Sequence, residues 1–366
     1  MASETLQVSV YGGLLFVYVC IVYTLIKSDI VIVHHNSSRR LAYSAVFMSE
    51  NVTEHRPVEC MEGPLVKSVY ASAPGWGVSK YLYESSDSSA TYNIVILADG
   101  AHDQARAGVS CRVAMIAEPP VIDSGTYQRF ENMQFADTFD LVFTFYDAFL
   151  SRPKFREYVF GGSFVIPRSD EKWANASIDH WATDLLMQKN KRISMILSEK
   201  QSAPGHRFRH VIWAHVRNKR VDGYGRGVNG QYLQNKADGL RNYRFSIVIE
   251  NGKDQGRYFS EKLIDCIAMM TIPIYWGSGD NLKRHFDMNG IMLFNTEQEL
   301  YNILDSLENS AERVYQEKLL SVRHNLDRVL TDVNLMDGHQ FRSITWRLMN
   351  KETGRLRCGY CPFTRD

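Results

Sequence analysis

Short apolar runs alternate with polar, glycine-containing stretches along most of this chain. In the first half, residues 92–97 (YNIVIL), 112–117 (RVAMIA) and 140–145 (DLVFTF) have the length and composition of buried strands. Residues 29–34 (DIVIVH) are a further candidate strand. Residues 36–92 are rich in Ser, Gly and Pro around a Pro74-Gly75-Trp76 turn and carry no readable pattern. Residues 155–166 are aromatic and glycine-rich, and the polar stretch 168–190, with Trp173 and Trp181, reads as a crossing between two halves. The second half opens with a strand at 192–197 and a polar loop at 198–205. A helix follows at 206–216, with Phe208 and Ile212 on one face. Residues 220–227 (RVDGYGRG) form a short strand entering a glycine turn.

The pattern is clearest over 243–277. A strand at 245–249 (FSIVI) runs into the polar loop 250–258. Ser260 then offers an N-cap, and Leu263, Ile267 and Met270 fall at i, i+4 and i+7. A second strand, 272–276, stops at Gly277, completing a βαβ unit. Residues 297–307 form a helix with Leu300, Ile303, Leu304 and Leu307 on one face, and 310–331 a longer one carrying Val314, Val322, Leu326 and Val329. Residues 336–366 read as an irregular basic tail. Two sets of alternating strands and helices predict an α/β fold: two facing Rossmann-like domains with a cleft between them. The domains are placed at 29–180 and 190–345, with a tail at 346–366.

Charge narrows the partners. Lys and Arg number 42 against 41 Asp and Glu, a net charge of +1 that provides no field for nucleic-acid binding. Residues 6–26 carry no charged side chain and are long enough to span a bilayer. They lack a basic n-region and a clear cleavage site, so they read as a membrane-spanning signal anchor. The alternative is a terminal strand or helix packed on the domain, because Gln7, Ser9, Gly12, Gly13 and three tyrosines dilute the run. Glu4 precedes the stretch and Lys27, Arg39 and Arg40 follow it, a bias that does not favour a lumenal C-terminus. Asn36, Asn51 and Asn175 head N-x-[ST] triplets, which permit a secretory location without establishing one. Of the six cysteines, Cys20 and Cys266 read as core residues. Cys60 and Cys111 either pair or stay free, and Cys358 and Cys361 read as a local disulfide or two free thiols.

Candidate chemistry gathers in the βαβ unit. Glu250, Asn251, Lys253, Tyr258, Glu261 and Lys262 sit at a strand end and a helix N-terminus, which suits an anionic, phosphate-bearing ligand. The run 225–230 (GRGVNG) matches G-x-G-x-x-G, but 231–240 lacks the apolar periodicity of the helix that a dinucleotide site needs, which favours a plain turn. No Asp-x-Asp occurs, which argues for a metal-independent phosphate site built from cations and backbone N–H groups. Lys262, in a first helical turn, and Arg209, soon after Gly205, are the candidate cations. Glu261 suits a cationic transition state or sugar hydroxyls. Glu118, at a strand end before two prolines, is placed as a general base. Each also has a structural reading taken alone: a solvated cation, or an acid favoured at a helix N-terminus.

Residues 243–277 resemble the signature of glycosyltransferase family 10, the α-1,3-fucosyltransferases. The shared features are an apolar strand, Glu250-Asn251, Tyr258-Phe259-Ser260-Glu261-Lys262-Leu263, and Ile272-Pro273-Ile274-Tyr275-Trp276-Gly277. The resemblance extends through 198–209 and 221–227, runs on to about residue 307, and looks nearest to bacterial and viral members. In the first half it rests on Glu118-Pro119 and 140–147. It implies a GT-B fold, a C-terminal domain for GDP-fucose and an N-terminal domain for a glycan acceptor. The implied reaction is inverting transfer with one base and no obligatory metal or other cofactor. Carried over residue by residue, Arg209 and Lys262 hold the pyrophosphate, and Asn251 and Tyr258 line the donor site with Glu250 in the same loop. Glu261 supports the oxocarbenium-like fucosyl centre, and Glu118 takes the acceptor proton. The family's Glu-Ser-Pro is Glu118-Pro119-Pro120 here, which puts the register of the base in question. The terminal Cys-x-x-Cys resembles a cysteine pair of many animal members. The family reading carries with it a single-pass type II Golgi membrane location, the alternative being a cytoplasmic or membrane-associated protein. A different nucleotide-sugar donor and a non-enzymatic glycan-binding protein are the rival functions.

Overall fold

In a computed structural model, residues 63–361 are described except 75–77, 99, 159–161, 166–177, 220, 229–231, 254–255, 332–343, 346, 351–352 and 358–360. The apolar run 6–26, the candidate strand 29–34, Cys20, Cys60, Asn175 and Cys358 lie outside the described residues.

The first sheet contains β1 (Val66–Ala73), β2 (Val78–Glu84), β3 (Tyr92–Ala98), β4 (Cys111–Ile116), β5 (Leu141–Thr144) and β6 (Phe155–Glu157), in the order β2-β1-β3-β4-β5-β6. Helices α1 (Ser124–Glu131) and α2 (Met133–Ala136) separate β4 from β5, and α3 (Asp147–Leu150) separates β5 from β6. Strands β3, β4 and β5 fall where the apolar runs predict them. The β1–β2 hairpin does not, since Ser and Ala within β1 dilute its hydrophobic signal. Antiparallel pairing with β2 and parallel pairing with β3 hold it in the sheet, and Val66, Val69, Ala71 and Ala73 are buried.

The second half begins with α4 (Ile178–Gln188), a helix inside the expected crossing. It continues with β7 (Lys191–Ile196), α5 (Pro204–Val216), β8 (Val221–Tyr224), β9 (Tyr243–Ile249), α6 (Glu261–Ala268), β10 (Ile272–Trp276), β11 (Met292–Leu293), α7 (Glu297–Ser306) and α8 (Ala311–Thr331). Its sheet, ordered β11-β10-β9-β7-β8, pairs in parallel throughout. Strand β9 is buried along almost its whole length, which explains its continuous apolar run. Two α/β halves, the first sheet parallel but for β2 and the second parallel throughout, face a shared cleft, which is the GT-B architecture.

Three local expectations need correction. Met270 is not the last residue of the helical stripe. It adopts a positive φ of 50° just past α6, while Met270 N–H bonds Ile267 O and Thr271 N–H bonds Cys266 O. This is a Schellman turn that aims the chain into β10. The expected irregular tail instead returns to the first sheet. Ile344, Leu348, Met349 and Leu356 are buried in that core, and β12 (Met349–Asn350) pairs with β13 (Arg355–Leu356). The Val66 N–H bonds Gly354 O at 2.9 Å, and Leu356 N–H bonds Pro64 O at 3.1 Å. Finally, Cys361 is disulfide-bonded to Cys111 of β4 and not to its neighbour Cys358. Cys266 is a buried free thiol, as its place on the helix predicted.

Candidate active site

Strand β7 is followed in sequence by β8 on one side and in space by β9 on the other. The chain therefore reverses direction of winding between β7 and β9, and a crevice opens at their C-terminal ends. A cleft of about 350 Å³ lies there. It is lined by Ile196 and Ser198 at and just past the end of β7, by Ile249 and Asn251 at and just past the end of β9, by His206 and Arg209 from α5, and by Glu261 and Lys262 from α6. Glu118 and Tyr258 complete the wall. The run beginning at Gly225 is a turn: Gly225 has φ +96°, Val228 N–H bonds Gly225 O, and Gly227 N–H bonds Leu197 O at the end of β7.

Helix α5 enters the site through Gly205. Its N–H donates to Asn251 O at 2.9 Å, and a Cβ there would lie 1.8 Å from Glu250 O. One turn on, the buried Arg209 donates through Nε to Ile249 O (2.8 Å) and through Nη2 to Asn251 Oδ1 (2.9 Å). Burial pushes its guanidinium pKa down, opposed by Glu250, but arginine stays charged at neutral pH. These bonds aim a cation at the cleft from a fixed backbone position.

Helix α6 begins with Ser260, whose Oγ accepts from Lys262 N–H (3.3 Å) and donates to Glu250 Oε2 (2.7 Å). Glu250 Oε1 accepts from Ser260 N–H at 3.0 Å. Glu250 is 0% exposed and is absent from the cleft lining, with its carboxylate bonded to Ser260. Lys262 Nζ lies 3.2 Å from Glu261 Oε1 and 3.5 Å from Glu250 Oε2. Burial disfavours the ammonium, yet these two carboxylates outweigh it and raise the Lys262 pKa. Burial likewise opposes ionisation of Glu261, but Lys262 and Lys236 hold its carboxyl down at about 2. Lys236 is anchored in turn, 2.6 Å from the buried Asp265 of α6.

The opposite wall comes from the first sheet. Glu118 stands just beyond β4, with its backbone carbonyl accepting from Tyr127 OH at 2.9 Å. Burial raises its carboxyl pKa, and Lys262 partly offsets that rise. The loop after β9 bridges the halves. Arg257 donates through Nε to Asp147 Oδ1 (2.6 Å), pairs with Glu157, and bonds Phe145 O through its N–H (3.1 Å). Tyr258 packs its ring 5.1 Å from that of Phe145. The loop carrying Asn251 and Tyr258 is thereby docked on the first sheet.

Residues 186–324 match the family model described as glycosyltransferase family 10 (fucosyltransferase), C-terminal region. Over this stretch, in the second half of the chain, the sequence is similar to that family. An α-(1,3)-fucosyltransferase of Helicobacter pylori is 43% identical over 53 residues, which are 14% of this chain and 11% of that protein. The match thus spans about a tenth of the relative's length. A solved structure of an α1,3-fucosyltransferase with GDP is 17% identical and covers 81% of this chain and 94% of its own, at a TM-score of 0.47. The Anabaena protein HepE in complex with UDP-glucose is 10% identical over 69% of this chain and 78% of its own, at a TM-score of 0.41.

The cleft brings together Arg209, Asn251, Tyr258, Glu261 and Lys262 of this matched segment, with Glu118 facing them from outside it; of the candidates, Glu250 and Lys253 are absent from its lining. Sequence reasoning missed His206, Lys200 and Lys236, which also line the cleft. His206 carried a usable signal, three residues before Arg209 on one helix. Lys236 carried none, since a short 3₁₀ turn over Lys236–Gly239 delivers it to the site.

Proposed function

We propose that the protein is an inverting glycosyltransferase that moves fucose from GDP-fucose to a glycan hydroxyl, α-1,3 linkage being the expectation, with the donor held by the C-terminal half and the acceptor by the N-terminal half. The observation that carries this reading is the opposition of Glu118, on one sheet, to Arg209, Glu261 and Lys262, on the other, around one cleft. Arg209, Lys262 and the N-terminus of α6 suit the diphosphate of the leaving GDP. Glu118, desolvated enough to be a competent base, takes the acceptor proton as the acceptor oxygen attacks the sugar C1. The C1–phosphate bond breaks and its electrons leave with GDP. Glu261, ionised by its two lysines, offsets the positive charge that develops on the sugar. Glu250 is assigned to positioning, holding Ser260 and Lys262 at the start of α6.

Incubation with GDP-fucose and a panel of N-acetyllactosamine-type and other acceptors, followed by linkage analysis, tests the proposal. Transfer with release of GDP is expected, and absence of both would sink it. Parallel titrations with GDP, UDP and dTDP test the donor base, with GDP expected to bind tightest. We also propose that residues 6–26 anchor the protein in a membrane, the Golgi being the expected one, because they are uncharged and long enough to span. Carbonate-resistant sedimentation that disappears when these residues are deleted is the expected result; extraction of the intact chain by carbonate would refute it.

A further inference from the structure

We propose that His206 is a positioning residue: as a neutral Nε2–H imidazole it fixes the orientation of the Asn251 side-chain amide, so that Asn251 meets the nucleotide sugar as an N–H donor. The inference rests on the donor-site reading above.

The geometry leaves little freedom. The Arg209 guanidinium has donors only, so the Asn251 side-chain atom 2.9 Å from Arg209 Nη2 is the oxygen Oδ1. The same oxygen lies 3.1 Å from His206 Nε2, which must therefore carry a hydrogen. At the other side of the ring, Nδ1 sits 3.2 Å from the backbone nitrogen of Ala203 and 3.2 Å from Ser202 Oγ. A backbone N–H donates, so Nδ1 is bare. Both ring nitrogens thus require the same tautomer, and an added proton on Nδ1 would oppose the Ala203 N–H. Burial, helped by the charge of Arg209, pushes the ring pKa down to about 4, in keeping with a neutral imidazole.

The consequence falls on Asn251. Two donors occupy the two lone pairs of Oδ1, which leaves the Nδ2 amino group as the part of the side chain offered to a ligand. Asn251 and His206 both line the cleft. An amide so held presents hydrogens to phosphate or hydroxyl oxygens, beside the cations of Arg209 and Lys262. Without His206 the amide loses one of its two restraints. Gly205, next to His206, bonds the Asn251 carbonyl, so this short piece of α5 holds both the backbone and the side chain of Asn251.

His206 also serves as a helix cap through the Ala203 N–H, and the test must separate the two roles. A glutamine amide reproduces the donor at the Nε2 position, whereas an asparagine amide reproduces the acceptor at Nδ1. GDP binding is measured by calorimetry for the wild type, His206→Gln and His206→Asn, with melting temperatures recorded for each. His206→Gln is expected to bind GDP within about threefold of wild type, and His206→Asn about tenfold more weakly, the loss of one hydrogen bond's restraint. Any other ranking of the two variants overturns the proposal, including the reverse order that a pure capping role predicts. A wild-type protein that does not bind GDP overturns the donor-site reading itself and takes the role of His206 with it. As a ligand-free check, ¹⁵N NMR of the His206 ring should report the Nε2–H tautomer at neutral pH; the Nδ1–H tautomer would refute it.

Discussion

Glu118 and Glu261 face the same cleft with opposite biases. Burial lifts the Glu118 carboxyl above the usual carboxylate range, while Lys262 and Lys236 hold Glu261 down at about 2 despite its burial. Two carboxylates pushed apart in this way suit two roles, one that takes a proton and one that stays ionised. Glu118→Gln should lower kcat by about 10²-fold or more while GDP affinity stays within a few-fold, read by steady-state kinetics and calorimetry. As the proposed base, Glu118 works ionised, so wild-type kcat/KM should fall as pH falls through the raised Glu118 pKa and level off above it. Lys262→Ala removes a cation that favours the Glu118 carboxylate, so the acidic limb should move to higher pH. The same variant should weaken GDP binding about tenfold or more and slow transfer together, because a phosphate-bound cation acts in both ground and transition states. Near-normal kinetics for Lys262→Ala would remove it from the site.

At the scale of elements, the site depends on how closely α5 and the loop after β9 approach. Gly205 has no side chain because the Glu250 carbonyl occupies that space, 1.8 Å from where a Cβ would stand. The obstruction is backbone and cannot rotate away. Gly205→Ala should cost about 3 kcal/mol of stability and weaken GDP binding as Asn251 is displaced, measured by thermal melts and titration. A second buried device supports α6 and β9 from below. Lys189 Nζ donates to Met269 O (2.6 Å), Tyr243 O (2.8 Å) and Thr271 Oγ1 (2.8 Å), tying the end of α4 to the start of β9 and to the junction between α6 and β10. Periodicity does not report such a residue, since a buried lysine reads in sequence as one more exposed charge.

At the scale of the molecule, the C-terminal residues close the fold. The Cys111–Cys361 bond spans 250 residues of sequence and joins β4, the strand that leads to Glu118, to the segment that returns from the second half. In the chain-entropy account so long a loop contributes roughly 5 kcal/mol. Cys361→Ser, or reduction with a thiol, should therefore lower the melting temperature; an unchanged melt would mean that the bond adds nothing to stability. The loop carrying Arg257 and Tyr258 ties the halves at a second point, against Asp147, Glu157 and Phe145. Both links act at long range in sequence, which places the opposition of Glu118 and Lys262 at this scale and not within either sheet.

The amino-acid sequence alone determined the strands β3, β4, β5, β7, β9 and β10, the cap at Ser260, and the concentration of polar groups around 250–262. These features follow from local alternation, capping chemistry and a contiguous motif, all of which act over a few residues. It did not reveal the β1–β2 hairpin, the return of Ile344, Leu348, Met349 and Leu356 to the first core, the partner of Cys361, or the hydrogen bonds of Glu250 and His206. Each of these depends on which distant groups meet once the chain is packed. That both oxygens of the Glu250 carboxylate bond Ser260 cannot be read from the loop's sequence, since it depends on how the loop meets α6. A histidine near an arginine has no assigned proton until Ala203 on one side and Asn251 on the other require the tautomer.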